Sequence, residues 1–164
     1  MTHHHRLATR PDLEQIVAIY NSTVPGRMVT ADTEPVSVAS RQAWFDAHPP
    51  GSRPLWVCEK DQRIAAWLSF SSFYGRPAYS GTAELAVYVQ EDFRRAGLGR
   101  YLLDRAIQHA PSIGVETLLG FIFGHNDPSL RLFESFGFER WGNLPRVALL
   151  DGIERDLIIL GRRV

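Results

Sequence analysis

The chain has one cysteine, Cys58, so it can form no internal disulfide and no multi-cysteine zinc or iron–sulfur site. It has no surplus charge of either sign: 18 Lys+Arg stand against 18 Asp+Glu. General binders of nucleic acid or anionic membranes need excess positive charge, and this chain has none. No apolar run approaches the roughly 20 residues of a membrane span. The N-terminus lacks the apolar core of a secretion signal. A cytoplasmic protein without nucleic-acid or membrane partners is the expectation. Lysine is almost missing: Lys60 is the only one among the 18 basic residues, a bias that a GC-rich genome produces without any functional cause.

What is present suits a globular domain. The 164 residues are 45% hydrophobic and 22% charged, enough to bury a core without disulfides or metals. Residues 1–164 read as a single domain, because no repeat, linker or low-complexity segment divides them. His3, His4 and His5 are adjacent, but alternate side chains of an extended chain point to opposite faces. The run reads as a solvated strand end or a purification remnant, and no metal site is expected.

Periodicity orders the rest. Residues 3–9 read as a first strand. Thr9 and Asp12 stand at capping-box spacing, and Leu13, Ile16, Val17 and Tyr20 form a helical apolar stripe behind them. Residues 21–35 are long, polar and irregular, which in a compact domain points to function or mobility. A second helix is expected over 36–47, stopped by Pro49-Pro50-Gly51. Strands follow at 55–59 and 64–73 around a turn at 60–63, and at 83–90. Residues 97–110 read as a strong helix and 115–123 as a central strand. Asp127-Pro128 opens a short helix that Gly137 closes, and two strands around Asp151-Gly152 end the chain. The order β-α-α-β-β-β-α-β-α-β-β is mixed α/β, with a strand–helix–strand crossover in its middle.

The segment richest in chemistry is Val87-Tyr88-Val89 followed by Arg94-Arg95-Ala96-Gly97-Leu98-Gly99. An apolar strand enters a basic, glycine-containing loop that runs straight into a helix. Glycines let backbone N–H groups close on phosphate oxygens, and a helix start adds unpaired N–H groups and positive potential. Arg94, Arg95 and Arg100 add charge. The loop is not a mononucleotide P-loop, since no Gly-Lys-Ser/Thr follows. It is a poor dinucleotide fingerprint as well, with Arg94 and Ala96 at the first two glycine positions. Such a pattern recurs by chance in roughly one chain in six of this size, so its placement between strand and helix carries the weight.

Arg94 to Gly99 resembles the acetyl-CoA pyrophosphate loop of the GNAT acyltransferases. The stretch Asn126-Asp127-Pro128-Ser129-Leu130-Arg131-Leu132-Phe133-Glu134-Ser135-Phe136-Gly137-Phe138 resembles that superfamily's Asn-containing helix ending in Gly-Phe. Ile19-Tyr20-Asn21, Thr33-Glu34-Pro35, Ala43-Trp44-Phe45 and Thr82-Ala83-Glu84 are similar to the phosphinothricin N-acetyltransferase group. The resemblance covers about residues 6 to 160. It implies a GNAT fold, with a mixed central sheet splayed at the acetyl-CoA site and helices on both faces. It also implies direct transfer of an acetyl group from acetyl-CoA to the primary amine of a small molecule, an amino acid or amino-acid analogue, by a homodimer. A peptide N-terminal acetyltransferase, and a non-catalytic acyl-CoA-binding regulatory domain, are the alternatives on the same fold.

By the resemblance, Val87, Tyr88 and Val89 would bind pantetheine through the backbone. Arg94, Arg95, Ala96, Gly97, Leu98, Gly99 and Arg100 would hold the pyrophosphate, and Asn126 would sit near the thiol arm. Tyr74, Gly75, Arg76, Glu84, Leu85 and Ala86 would lie against the amine substrate. Glu84 is the expected general base, since an amine must lose a proton before it attacks a thioester. Strand alternation puts Glu84, Ala86 and Tyr88 on one face and Leu85, Val87 and Val89 on the other. Arg76, and Arg27 in the irregular stretch, are candidates for pairing with a substrate carboxylate. Three positions depart from the pattern. Phe133 stands where many members carry a proton-donating Tyr, and Leu85 and Ser80 stand where the phosphinothricin group often has His and Arg.

Overall fold

The computed structural model describes residues 2–164. Seven strands form one sheet: β1 (His5–Leu7), β2 (Leu55–Lys60), β3 (Arg63–Ser72), β4 (Thr82–Val89), β5 (Thr117–Phe123), β6 (Glu139–Leu150) and β7 (Ile153–Arg163). Their order is β1-β2-β3-β4-β5-β7-β6. Every neighbouring pair is antiparallel except β4 and β5, which are parallel. A parallel pair needs a crossover, and helix α3 (Leu98–His109) supplies it.

The β4–β5 pairing is short. It runs from Thr82↔Thr117 to Glu84↔Leu119 and stops. Beyond that rung β4 stays paired with β3 up to Val89, and β5 stays paired with β7 up to Phe123. The two central strands therefore part after Glu84, and the sheet opens. One edge of β4 from Leu85 to Val89 has no strand partner among the described residues.

Each face of the sheet has its own core. Ala66, Leu68, Phe70, Ala83 and Leu85 pack with Leu98, Leu102, Leu103 and Ala106 of α3 on one face. Leu130 and Phe133 of α4 (Asp127–Glu134) extend that layer. On the other face Val57, Ile64 and Trp67 meet Ile16 and Ile19 of α1 (Leu13–Ser22). The alternation expected along β4 is the one found: Leu85, Val87 and Val89 join the first core, and Ala86 and Tyr88 the second.

Local chemistry explains the element ends. Asp12 accepts from the Thr9 N–H at 2.7 Å and pairs with Arg6 at 2.7 Å, which fixes the entry to α1. The Arg6 hydrogen bond holds its carboxyl below the usual range, against the opposing effect of burial. Asp61 and Gln62 both have positive φ, as do Asp151 and Gly152. These are the two-residue turns whose twist matches an antiparallel hairpin.

Two expectations need correction. The helix foreseen over 36–47 is only a 3-10 turn at Ala39–Arg41 followed by α2 (Gln42–Asp46). The Val36 N–H and C=O are both bonded to the Asn21 side chain, at 2.9 Å each. Ser37 and Ser40 bond to one another's backbone and side chain, so local bonds compete with the helix. The N-terminal histidines are not a solvated end either. The His3 Nε2 donates to the Ala96 carbonyl at 2.9 Å, and His5 Nδ1 lies 2.9 Å from the Tyr101 hydroxyl. His5 also packs on Trp56, with ring centroids 4.3 Å apart. His4, on the opposite face, is exposed.

Gly120 is needed for a close approach. A Cβ there would lie 2.8 Å from the Phe133 ring, which Phe138 backs at 4.9 Å between centroids. Gly120→Ala is expected to lower stability by about 1–3 kcal/mol through overpacking. Thermal unfolding monitored by circular dichroism checks it.

Candidate active site

Two cavities meet at the point where the sheet opens. The larger, ≈ 510 Å³, is the cleft between β4 and β5. Leu85 to Tyr88 form one wall, Phe121 to Phe123 the other, and Asn126, Ser129 and Phe133 close it from α4. Val29, Thr30 and Ala31 of the irregular segment cover it. The smaller cavity, ≈ 240 Å³, lies on the α1 face. Its floor is three rungs of the β3–β4 ladder: Trp67↔Tyr88, Ser69↔Ala86 and Ser71↔Glu84. Its roof is Ile16, Val17 and Tyr20 of α1 with Val36, Arg41 and Trp44. Glu84, Ala86 and Tyr88 line both cavities.

Glu84 sits on the last β4–β5 rung, half-buried. Burial pushes its carboxyl above the ordinary value. No side-chain hydrogen bond satisfies it among the described residues, so the carboxylate is free to take a proton. Tyr88, two pleat repeats away on the same face, stacks on Trp67 at 4.4 Å between centroids. Burial first, then the neighbouring Tyr20 and Glu84, raise its phenol's pKa.

The loop before α3 carries the features of an anion cradle. Gly97 is the N-cap of α3 with φ 79°, and Arg95 has φ 63°. Among the described residues no backbone N–H from Arg95 to Arg100 has a backbone acceptor. Gly99 follows on the first turn of α3, beside Leu132 and Val89, where a Cβ would make only ordinary contacts of 3.5 and 3.9 Å. Arg94 and Arg95 are exposed. Arg100 bonds the Ser135 hydroxyl at 3.1 Å and lies over the Phe136 ring at 4.9 Å. The unpaired edge of β4, this cradle and the cleft joining them fit an elongated ligand with an amide-bearing arm and a diphosphate.

Asn126 caps α4, its Oδ1 accepting from the Ser129 N–H at 3.3 Å. Its Nδ2 has no hydrogen-bond partner among the described residues, and Asn126 lines the cleft. Phe133 lies four residues after Ser129 against Phe138, 5% exposed, with no proton to give. His125, next to Asn126 in sequence, donates from Nε2 to the Arg27 carbonyl at 2.8 Å, while its Nδ1 is buried without a partner among the described residues.

Four other residues singled out from the sequence, Arg27, Tyr74, Gly75 and Arg76, line neither cavity. Arg27 bonds the Thr33 carbonyl at 2.7 Å and Asp151 at 3.1 Å, and it lines neither cavity. Tyr74 and Gly75, with φ of 55° and 62°, form an exposed turn, and Arg76 follows it exposed. Leu85 is buried in the α3-side core and touches the cleft. Sequence reasoning did not single out Arg41, Ser71 or His48 for the site. Arg41 lines the smaller cavity, paired with Asp32 at 2.9 Å and lying over the Tyr20 ring at 4.8 Å. Strand alternation alone would have put Ser71 on the face of Trp67 and opposite β4, but nothing in the sequence marks its register against Glu84.

A mixed sheet that splays after its last central rung is the architecture of the GNAT acyltransferases. Residues 13–138 match the Acetyltransferase (GNAT) family, and the chain belongs to it. The chain is 54% identical over 160 residues to the Bacillus subtilis (strain 168) protein named "Putative phosphinothricin acetyltransferase YwnH", covering 97% of this chain and 98% of that one. It is 33% identical to an L-methionine sulfoximine/L-methionine sulfone acetyltransferase of Pseudomonas paraeruginosa, over 91% of this chain and 87% of that one. A crystal structure described as that of "a putative phosphinothricin N-acetyltransferase" superposes with a TM-score of 0.94 at 53% identity, covering 99% and 98% of the two chains. The structure of yncA from Salmonella typhimurium with its cofactor acetyl-CoA superposes with a TM-score of 0.91 at 28% identity, covering 99% and 94%. The protein is an acetyltransferase of the GNAT fold, with acetyl-CoA as its cosubstrate. No helix among the described residues is long and apolar enough to cross a membrane.

Proposed function

We propose that this enzyme acetylates the primary amine of a free amino acid or amino-acid analogue, of the phosphinothricin or methionine sulfoximine type, with Glu84 as general base. The observation that carries the reading is that Glu84 lines both cavities at their junction. The cleft suits the thioester and the smaller cavity the amine, so one carboxylate can face both reactants. The raised pKa of Glu84 brings it closer to that of a working general base at neutral pH. Supplying a thioester to the cleft is the cosubstrate's part. The chain's part is to exclude water, orient the amine and take its proton.

The volume favours a small amine. A cavity of ≈ 240 Å³ is below the usual range for drug-sized ligands and suits one amino acid better than a peptide. The curated relatives named for phosphinothricin and for methionine sulfoximine or sulfone support the same class. Backbone contacts from Val87 to Val89, the Arg94–Arg100 cradle and Asn126 Nδ2 hold the donor in this reading. Phe133 donates nothing, so the departing thiolate takes its proton from Glu84 or from water.

Arg41 is the arginine that lines the amine cavity, and we assign it, in place of Arg76 or Arg27, to a substrate carboxylate. Arg41→Ala is expected to raise KM for amines bearing a carboxylate by about 10- to 100-fold, the worth of a charged hydrogen bond. Amines without one should change little. A homodimer fits the β6–β7 ribbon, whose Trp141, Leu144, Val147, Leu149 and Ile153 are exposed, and sedimentation equilibrium reads the mass. The function itself is tested by CoA release from acetyl-CoA against phosphinothricin, methionine sulfoximine, methionine sulfone, common amino acids, polyamines and short peptides. Selective turnover of an amino-acid analogue is expected. Turnover of peptides alone would replace this reading with N-terminal acetylation.

A further inference from the structure

His48 lies two residues beyond α2, with 8% of its surface exposed. Its Nδ1 is 2.6 Å from the Trp44 carbonyl oxygen. A carbonyl only accepts, so Nδ1 carries the hydrogen and Nε2 of the neutral ring presents a lone pair. Burial lowers the pKa of His48, which favours that neutral ring. Ser71 Oγ stands 3.2 Å from Nε2. The hydroxyl of Ser71 must therefore be the donor in this contact. Its one hydrogen is committed to His48, and what it offers elsewhere is lone pairs only.

Ser71 lines the amine cavity directly opposite Glu84 in the β3–β4 ladder. Side chains so paired have Cβ atoms about 4.5–5.5 Å apart. A nitrogen placed between them meets an acceptor on each side: the Glu84 carboxylate and the Ser71 oxygen. An ammonium has the several hydrogens this requires. A substrate hydroxyl has one hydrogen and can satisfy only one of the two.

We propose that Ser71, held as a pure hydrogen-bond acceptor by His48, is a second anchor for the attacking amino group, and that this pair selects primary amines over hydroxyl compounds. The proposal rests on the reading of Glu84 as the base and of the smaller cavity as the amine site. Ser71 touches substrate. His48 is a positioning residue that acts through it. As the nitrogen attacks, positive charge grows on it and its N–H becomes a stronger donor, so the contact with Ser71 tightens in the transition state. No proton needs to pass to Ser71: Glu84 takes one proton from the ammonium before attack and releases it to solvent, takes a second after attack and returns it to the departing thiolate, and the N–H that Ser71 accepts from stays intact as the amide N–H.

The test is a double-mutant cycle on the full chain, read as kcat/KM for whichever amine turns over, with methionine sulfone as the first probe. Ser71→Ala is expected to lower kcat/KM by about 10- to 100-fold, with the KM for acetyl-CoA within about two-fold of the parent's and the melting temperature retained. Ser71→Thr keeps the hydroxyl and is expected to restore most of the rate. His48→Leu is expected to lower the rate as well. Because His48 acts through Ser71, the double variant should be no worse than Ser71→Ala alone. A purely structural role for His48 would instead make the two losses multiply, and that result overturns the proposal. So does a Ser71→Ala enzyme that turns over the amine as fast as the parent. Glu84→Gln is measured in parallel. If it stays fast while Ser71→Ala is slow, the base assignment fails and the anchor stands. If only Glu84→Gln is slow, the anchor fails alone.

Discussion

Glu84→Gln is expected to lower kcat by about 10²–10⁴-fold, the usual contribution of a positioned general base. The substitution keeps the size of the side chain and removes only its capacity to take a proton. Acetyl-CoA affinity, measured by calorimetry, should be unchanged, because the cradle and the free edge of β4 lie elsewhere along the cleft. Two further signs follow from burial, which raises this carboxyl's pKa in the folded state. First, the base form exists only above that raised value, so kcat/KM of the parent rises with pH through it, and the variant loses that limb. Second, a carboxyl with a raised folded-state pKa contributes stability below its unfolded value and loses it as pH rises through the folded one. At neutral pH the buried carboxylate is therefore a cost, and Glu84→Gln should melt higher than the parent. Loss of activity together with a higher melting temperature is the pattern of a residue kept for chemistry. An inactive variant that melts lower would point to a structural role instead.

Trp67→Ala carries the largest expected loss of stability. Trp67 is 3% exposed, stacks on Tyr88 at 4.4 Å, meets Trp44 edge-on at 5.5 Å and donates from Nε1 to the Ile16 carbonyl at 3.2 Å. It is both the hub of the α1-side core and the first rung of the amine cavity's floor. Truncating such a residue costs about 3–5 kcal/mol. In a chain of this size that lowers the melting temperature by roughly 6–20 °C. The amine site should suffer with the core, since its floor loses the ring that holds Tyr88 flat. Urea unfolding separates the two effects: KM for the amine is read well below the variant's midpoint. Trp67→Phe keeps an aromatic surface and is expected to recover part of both.

The halves of the site differ in how far the sequence reveals them. The donor half is local. Strand β4, the glycine-containing loop and α3 are consecutive, and the period of the strand passes directly into that of the helix. The Asn126–Phe138 stretch is likewise one continuous helix start and stop. Phe133 reads as a missing proton donor through the resemblance, since many members of the family carry a Tyr seven residues after that Asn. The amine half is assembled from distant pieces. Arg41, Trp44 and His48 lie around a helix too short to show a period, and they meet β3 only in space. Trp67 reads as core, and it is core, but its edge is also a wall. The pairing of Ser71 with Glu84 depends on the register across a ten-residue excursion that includes the exposed Tyr74-Gly75-Arg76 turn, and composition does not set that register. The N-terminal histidines mislead for a similar reason. Their alternation puts His3 and His5 on one face, but only the fold shows that this face meets Ala96 and Tyr101 at the start of α3.

The most direct measurement is a crystal structure of the enzyme with CoA and methionine sulfone. The amino nitrogen is expected between Glu84 and Ser71, within hydrogen-bond reach of both, that is about 2.6–3.2 Å. The CoA sulfur should lie in the cleft beyond the last β4–β5 rung, and the diphosphate should rest on the N–H groups of residues 95–100. An amine seated at the Tyr74–Arg76 turn, with its nitrogen out of reach of Glu84, would contradict the assignment of both the base and the amine cavity.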